Sequence, residues 1–445
     1  MAHTIVDFIA TVDRARRPML DRELAALSAS IATPRAGPLG AIGSLHFASL
    51  LVFDNEGFAP TLVFECNFDG TLDGFLPTLL AAAAQPLHAI LGCSVDYHVT
   101  GPADVDDMEA YLRAHMVRPA VSHVGNVGRS CDRIQRESDL HRDLSDQIDE
   151  WQRQRALPST AEQVYELIVH TLRVTGRRWV FDSYDTQTGE EKLRPVLRVV
   201  ASVVPLFALG GAVVLAVRRI TNVPVVMAFA LTIAGIVILA GFAAIVLRRR
   251  EKRDESMNPS ATRQDHLARL GALEDHYRLN HLASMTIVKE GVFRRTLLRV
   301  VLYVAKLRAG FSTHGSLSGI PTIHFAHWAL LDGGRRLLFL SNYDGSWGGY
   351  LDDFVDKASP GLTGIWSNTR LFPHTRWLVQ DGARDGAAFK AFARMHQAPT
   401  AVWYLAAPYR NEGLTVRRIN ANTDLRVGLA SGAGAFDLPH WTRQW

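Results

Sequence analysis

Val196–Val217, VLRVVASVVPLFALGGAVVLAV, and Val223–Leu247, VPVVMAFALTIAGIVILAGFAAIVL, stand almost back to back near the middle of the chain. Arg198 is the only charge in the first run, and the second has none. At about 1.5 Å per residue each run reaches roughly 33 Å or more, and a hydrocarbon core is about 30 Å thick. The joining piece, Arg218-Arg219-Ile220-Thr221-Asn222, is long enough only for a tight turn. A soluble core hairpin of this length would carry a polar stripe, and neither run has one. The pattern predicts a transmembrane helical hairpin with the lipid bilayer as partner through residues 196–217 and 223–247.

Basic residues set the expected orientation. Arg173, Arg177, Arg178, Lys192 and Arg194 precede the hairpin; Arg248, Arg249, Arg250, Lys252 and Arg253 follow it; the turn holds Arg218 and Arg219. The positive-inside rule then places both outer flanks in the cytoplasm, giving a multi-pass protein with two spans. An even number of spans returns the chain to its starting side, where the two flanking segments meet.

Over 445 residues the net charge is only +4, and much of the basic excess sits beside the hairpin. That placement suits an anionic membrane surface. With no RRM, zinc-finger or helix-turn-helix signature, no nucleic-acid partner is expected. Cys66, Cys93 and Cys131 are widely spaced and form no C-x-x-C pair, as expected of buried thiols in a reducing compartment. Asp7 and Asp13 interrupt the N-terminal apolar stretch, so it does not read as a signal peptide. No pattern sets an oligomeric state.

Outward from the hairpin, the chain divides into an N-terminal helical segment (1–40), a first α+β unit (41–150), a helical linker (151–194), the hairpin (195–247), a basic and amphipathic helical linker (248–320) and a second α+β unit (321–445). In the first unit, strands are expected at Ser44–Phe53, Thr61–Phe68, Cys93–Thr100 and Pro119–Gly125, with helices from Thr71 to Ala84 and Asp104 to Met116. Arg133–Arg155 reads as a charged, solvated helix and Thr160–Leu172 as another. Gly310–Gly319 is a Gly/Ser-rich link. In the second unit, strands Thr322–Leu331 and Arg335–Tyr343 flank the turn Asp332-Gly333-Gly334. Helices Trp347–Ala358 and Ala387–Met395 follow, with strands Thr375–Gln380 and Pro399–Ala407. In Val292–Arg308, Phe293, Leu297, Val300, Val304 and Leu307 share one helical face. That periodicity fits both a helix lying in the membrane interface and one packed on the fold.

The two units match in more than element order. His46-Phe47-Ala48 aligns with His324-Phe325-Ala326, and Asn67-Phe68-Asp69-Gly70 with Asn342-Tyr343-Asp344-Gly345. Near their ends, RIQRESDLHRDL (Arg133–Leu144) aligns with RINANTDLRVGL (Arg418–Leu429). The three matches run in order with offsets that drift by loop-sized amounts, which indicates an internal duplication. The expected fold is α+β: two ferredoxin-like repeats forming one pseudo-symmetric α+β barrel, interrupted by the hairpin. In element order the chain resembles the dimeric α+β barrel superfamily, which includes dye-decolorising peroxidases and chlorite-dismutase-like haem proteins. The resemblance implies haem as a possible cofactor. It stays architectural, because the peroxidase family's glycine–x–x–Asp–Gly motif lacks its leading glycine at Asp69 and Asp344.

The N-[FY]-D-G pair is the foremost candidate for chemistry. Asn342, Asp344 and His324 are candidate catalytic residues; Asn67, Asp69, His46, Trp328 and Arg418 are candidate ligand-binding residues. The same Asp and Gly also serve the strand-to-helix turn, as a cap and a left-handed residue. Strict alternation sends His324 and His327 to opposite faces. His374 and His396 are further haem-ligand candidates only if haem is present. No H-E-x-x-H, C-x-x-C or carboxylate–His cluster is read from the spacing, so no metal is assigned. Three functions remain open: binding or transforming an apolar, lipid-like small molecule; haem-dependent oxidation; and a membrane scaffold with no small ligand.

Overall fold

A computed structural model describes residues 3–182, 189–257, 264–276, 278–310 and 319–432. The expected link over 310–319 and the polar loop preceding the hairpin lie largely outside the described residues. The fold is mixed α+β with antiparallel sheets. Its strands are β1 (His3–Thr11), β2 (Leu45–Phe53), β3 (Thr61–Asp69), β4 (Met116–Val117), β5 (Val121–Val124), β6 (Leu279–Ile287), β7 (Ile323–Leu331), β8 (Arg336–Asp344), β9 (Thr375–Arg376), β10 (Gln380–Asp381) and β11 (Val402–Leu405). The helices are α1 (Arg17–Ile31), α2 (Leu72–Leu91), α3 (Val105–Ala114), α4 (Cys131–Arg153), α5 (Ala161–Val174), α6 (Gly189–Thr221), α7 (Val225–Glu251), α8 (Gln264–Gly271), α9 (Val292–Gly310), α10 (Trp347–Asp353), α11 (Ser359–Trp366), α12 (Gly386–His396), α13 (Ala407–Glu412) and α14 (Val416–Ser431).

The two larger sheets run β11-β2-β3-β1-β4 and β5-β7-β8-β6, and β9 and β10 form a separate two-stranded pair. Both larger sheets recruit a strand from the far half of the chain. β11, from near the C-terminal end, pairs with β2, and β5, from the first third, pairs with β7. The segment carrying β5 begins as β4 on the edge of β1, so it crosses from one sheet to the other. The segment carrying β11 makes the reverse crossing: Ala398 N–H donates to Ala283 of β6 before Val402–Leu405 join β2. The two crossings stitch both seams between the sheets and cover edges that would otherwise be open to pairing. Between the sheets lies an apolar layer that includes Leu51, Val63, Met285, Leu338 and Leu340.

Two segments expected to be helical are strands. His3–Thr11 is β1, and helix begins only at Arg17; Leu279–Ile287, inside the expected helical linker, is β6. Each occupies the same place in its sheet, paired along its whole length with β3 or β8. Nearly every β6 residue is buried, so apolar residues fall on both faces and the alternation that marks a strand is lost. The strand expected at Cys93–Thr100 reduces to one bridge between Ser94 and Val12. The helix expected to be solvated, α4, instead buries Ile134, Glu137, Leu140 and Leu144. It packs on α14, with Glu137 accepting hydrogen bonds from Arg133 (2.8 Å) and Arg426 (3.0 Å).

Among the described residues, three helices are long and apolar enough to cross a membrane: Leu72–Leu91, Val196–Thr221 and Val225–Glu251. They differ in what surrounds them. The first has 44% of its window buried and packs within the core, against 0% and 11% for the other two. α6 and α7 contact each other and expose Phe207, Val226, Ile238 and Phe242 along their length. The face of α9 that packs on the fold is Leu298 and Leu302 with the buried Arg294; Val300 and Val304 of the expected apolar face are exposed. Tyr303 of α9 hydrogen-bonds Ser202 of α6. α9 thus has apolar residues on two sides, one toward the sheet and one open beside α6.

Because each half supplies a strand to the other's sheet, neither half is complete alone. Splitting the chain between Asn222 and Val223 is expected to give two fragments that fail to fold singly and co-purify in equal amounts when co-expressed. Circular dichroism melts of each fragment check this; a cooperative transition in either fragment alone would contradict it.

Candidate functional site

The polar residues between the sheets fall into two clusters. The inner one gathers around Glu65 of β3, which is fully buried. Its carboxylate accepts from Ser49 (2.9 Å), Asn67 (3.0 Å) and His281 Nε2 (3.1 Å). His327 Nδ1 lies 3.7 Å from it, while His327 Nε2 is 2.8 Å from Asp7 of β1. Two carboxylates from one sheet thus face two imidazoles from the other, all essentially removed from water.

Burial pushes the Glu65 carboxyl up, but hydrogen bonds and charge from His281, the charge of His327 and the Asn67 amide outweigh it and hold the group down at about 2. Asp7 goes the other way: burial raises it, with the nearby charge of Glu65 adding to the effect against the pull of His327. Burial lowers His327, yet Asp7 and Glu65 more than offset this and leave it raised. The arrangement favours an ionised Glu65 with its proton demand met by the imidazoles.

His281 connects this cluster to the surface. With Nε2 directed at the ionised Glu65, its Nδ1 accepts from the Thr400 hydroxyl at 2.8 Å. Thr400 lines a cavity of about 190 Å³ walled by Ile31, Leu270, Leu273, Trp403 and Leu405, with Glu274 and Arg410 among its polar groups. A wider cavity of about 620 Å³ shares Gln397, Ala398, Pro399 and Ala401 as walls and adds Arg17, Asp54, His266 and His396. Thr400, His281 and Glu65 form a hydroxyl–imidazole–carboxylate relay, which has the geometry to move a proton at a hydroxyl.

The outer cluster holds the residues singled out from sequence. His46 Nε2 is 3.0 Å from Asp69 Oδ1, and His324 Nε2 is 2.7 Å from Asp344 Oδ1. Asp69 Oδ2 accepts from the Cys131 N–H at the start of α4; Asp344 Oδ2 accepts from the Val416 N–H at the start of α14. Each His–Asp pair therefore fastens a helix N-terminus to a strand end. Thr71 and Ser346 cap the helices that directly follow, and Gly70 and Gly345 adopt φ of 92° and 82°. Burial would raise Asp69, but the imidazoles of His3 and His46 beside it hold it well below the usual carboxylate range. Burial drives His46 down despite Asp69.

His324 and His327 do not lie on opposite faces as alternation required. A bulge between Ile323 and Phe325 adds a residue to β7. Both rings consequently meet the other sheet, His324 beside Phe47 (5.5 Å between centroids) and His327 at Asp7. Asn67 bonds Glu65, and Asn342 Oδ1 accepts from Trp403 Nε1 at 2.9 Å. Trp328 is not near them; it packs on Phe339 and Trp366 in the core on the other side of its sheet. Arg418 is exposed on α14.

Porphyrin does not fit the histidines considered for it. His324 is enclosed by Phe47, Asp344 and Tyr409; His374 is exposed; His396 bonds the Phe392 carbonyl and borders an open cavity whose lining includes the charged Arg17, Asp21 and Asp54. Burial raises the Cys66 and Cys131 thiols well above their ordinary value, so neither is a reactive thiolate. One grouping was not visible in the spacing: His3, His46 and Asp69 present ligand atoms within 4.8 Å of one another. Comparison with known protein families and with curated proteins returns no match.

Removing the Glu65 side chain leaves its buried partners uncompensated. Glu65→Ala is expected to cost about 3–5 kcal/mol, the range for breaking a buried ion pair. Glu65 sits below its ordinary 4.5, so its stabilisation is present above that pH and lost as pH falls toward about 2. The melting-temperature gap between the native chain and Glu65→Gln should therefore narrow across that window; a gap independent of pH would contradict the assignment.

Proposed function

We propose that this protein is a membrane-anchored α+β barrel, built from two fused ferredoxin-like units of the dimeric α+β barrel type. It takes a small molecule with an apolar body into the cavity beside β11, where Thr400 and His281 handle a polar group. The observation that carries the ligand reading is the Thr400–His281–Glu65 relay. A fully buried, ionised carboxylate is costly unless its partners need it, and here its hydrogen-bond chain ends at a cavity wall. The apolar walls supply affinity for a hydrocarbon portion, and the relay supplies general acid–base capacity.

Supporting the two-unit reading, β1-β3-β2 and β6-β8-β7 have the same pairing order, the same bulge near the start of the middle-hairpin strand and the same His–Asp–helix linkage. Supporting the anchor, α6 and α7 leave their apolar surface uncovered. Two spans would keep both units on one side, and the basic cluster Arg248–Arg253 supports a cytoplasmic placement of that side. The pocket differs from the one expected from sequence: Asn342, Asp344 and His324 serve the frame, and the cavity lies across β11 from them.

Native mass spectrometry of the full chain in mild detergent is expected to detect a bound small molecule. Thr400→Val and Leu273→Trp should each weaken its binding at least about tenfold, equivalent to about 1.4 kcal/mol, with little change in melting temperature. No ligand in the native chain, and none that shifts its melting temperature, would leave a membrane scaffold as the better account.

A further inference from the structure

The two His–Asp pairs do the same mechanical work, and this isolates a residue that has no part in it. In the β1–β3 register His3 stands opposite Asp69; in the β6–β8 register Leu279 stands opposite Asp344. Leu279 is fully buried, and Asp344 still holds both His324 and the first N–H of α14. A second histidine is therefore not needed to fasten a helix at this place. At Asp69, however, His3 is added, with its side chain only 3% exposed.

His3 Nδ1 lies 3.1 Å from Asp69 Oδ1, yet its approach is angled so that it forms no good hydrogen bond. His46 Nε2 reaches the same oxygen at 3.0 Å, and the three donor atoms all lie within 4.8 Å of one another. A tetrahedral metal with bonds of about 2.0–2.1 Å spaces its ligand atoms roughly 3.3 Å apart. We infer that His3, His46 and Asp69 form a binding site for a divalent transition metal, of which zinc best matches a set of two imidazoles and one carboxylate.

The surroundings suit both states of the site. With metal bound, His46 Nε2 and His3 Nδ1 offer lone pairs, so the remaining ring N–H groups face outward. The N–H on His46 Nδ1 then points at the Tyr409 hydroxyl, 2.7 Å away, and that on His3 Nε2 at the Asn126 carbonyl, 3.2 Å away. These are the outer hydrogen bonds that orient metal-ligating histidines. Without metal the alternative tautomers apply: Tyr409 donates to His46, and the Gly128 N–H donates to His3 Nε2 at 3.0 Å. Asp69 Oδ2 keeps the Cys131 N–H in either state, so loading leaves the helix fastening intact. Three protein ligands leave a position for water or an anion.

The test uses the full chain in detergent, carrying no histidine tag, with Zn²⁺ or Co²⁺ alone as probe. One equivalent of Co²⁺ should bind with the visible bands of a low-coordinate site, and X-ray absorption of the zinc form should count two imidazoles. His3→Leu, which copies the arrangement at Leu279, should weaken binding at least a hundredfold, beyond the 10–100-fold that outer-sphere changes cost. Its melting temperature in chelator should stay near that of the native chain. Leu279→His should add a second equivalent beside His324 and Asp344. No stoichiometric binding, unchanged affinity in His3→Leu, or an imidazole count other than two would overturn the site. If His3→Leu fails to fold, the imidazole count on the native chain decides alone.

Discussion

Glu65 meeting His281 and His327 across the gap between two sheets is the contact on which the rest of the structure depends. An ionised carboxylate withdrawn from water with its hydrogen-bond partners stabilises only one geometry, because a small slip leaves a buried charge without partners at large cost. β3 supplies Glu65 and Asn67, β1 supplies Asp7, and β6 and β7 supply the imidazoles. The register of four strands is therefore tied to one network. Apolar residues such as Leu51, Met285 and Leu340 fill the layer beside it but are less exacting about register.

That network also explains how two long apolar helices can stand between the halves of the chain. β1–β5 precede the two uncovered helices and β6–β11 follow them, yet β5 and β11 each complete the sheet of the other half. Under the proposed two-span anchoring, both ends of the pair of helices lie on one side of the bilayer, which holds the two halves at high effective concentration for each other. The cavity beside Thr400 then opens where the second crossing segment passes from β6 to β2, a place that exists only once both halves are joined.

Much of the frame was readable from residue patterns, and the failures have physical causes. The paired stretches at Arg133 and Arg418 fall on α4 and α14, which pack together, and Asp332-Gly333-Gly334 turns β7 into β8. β1 and β6 were missed because sheets covered on both faces lose their two-residue alternation. His324 was sent to the wrong face because a one-residue bulge is invisible to a period count. Asp69 and Asp344 were expected to serve the helices next to them, where Thr71 and Ser346 are the caps; the two carboxylates instead hold the first N–H of α4 and of α14, far along the chain. Glu65, His281, Thr400 and His3 carried no motif at all. They converge only through strand register, and a partner across a sheet leaves no mark in local spacing.

The two halves form one interlocked unit rather than two neighbouring domains, since each completes the other's sheet. Hydrogen exchange of the full chain, followed by mass spectrometry, tests it most directly at Val121–Val124 and Val402–Leu405. If the account holds, both crossing strands are protected to the level of β3 and β8 and are released together with them in a single opening event. Exchange of either crossing strand well before the central strands, or separate opening of the two sheets, would contradict it.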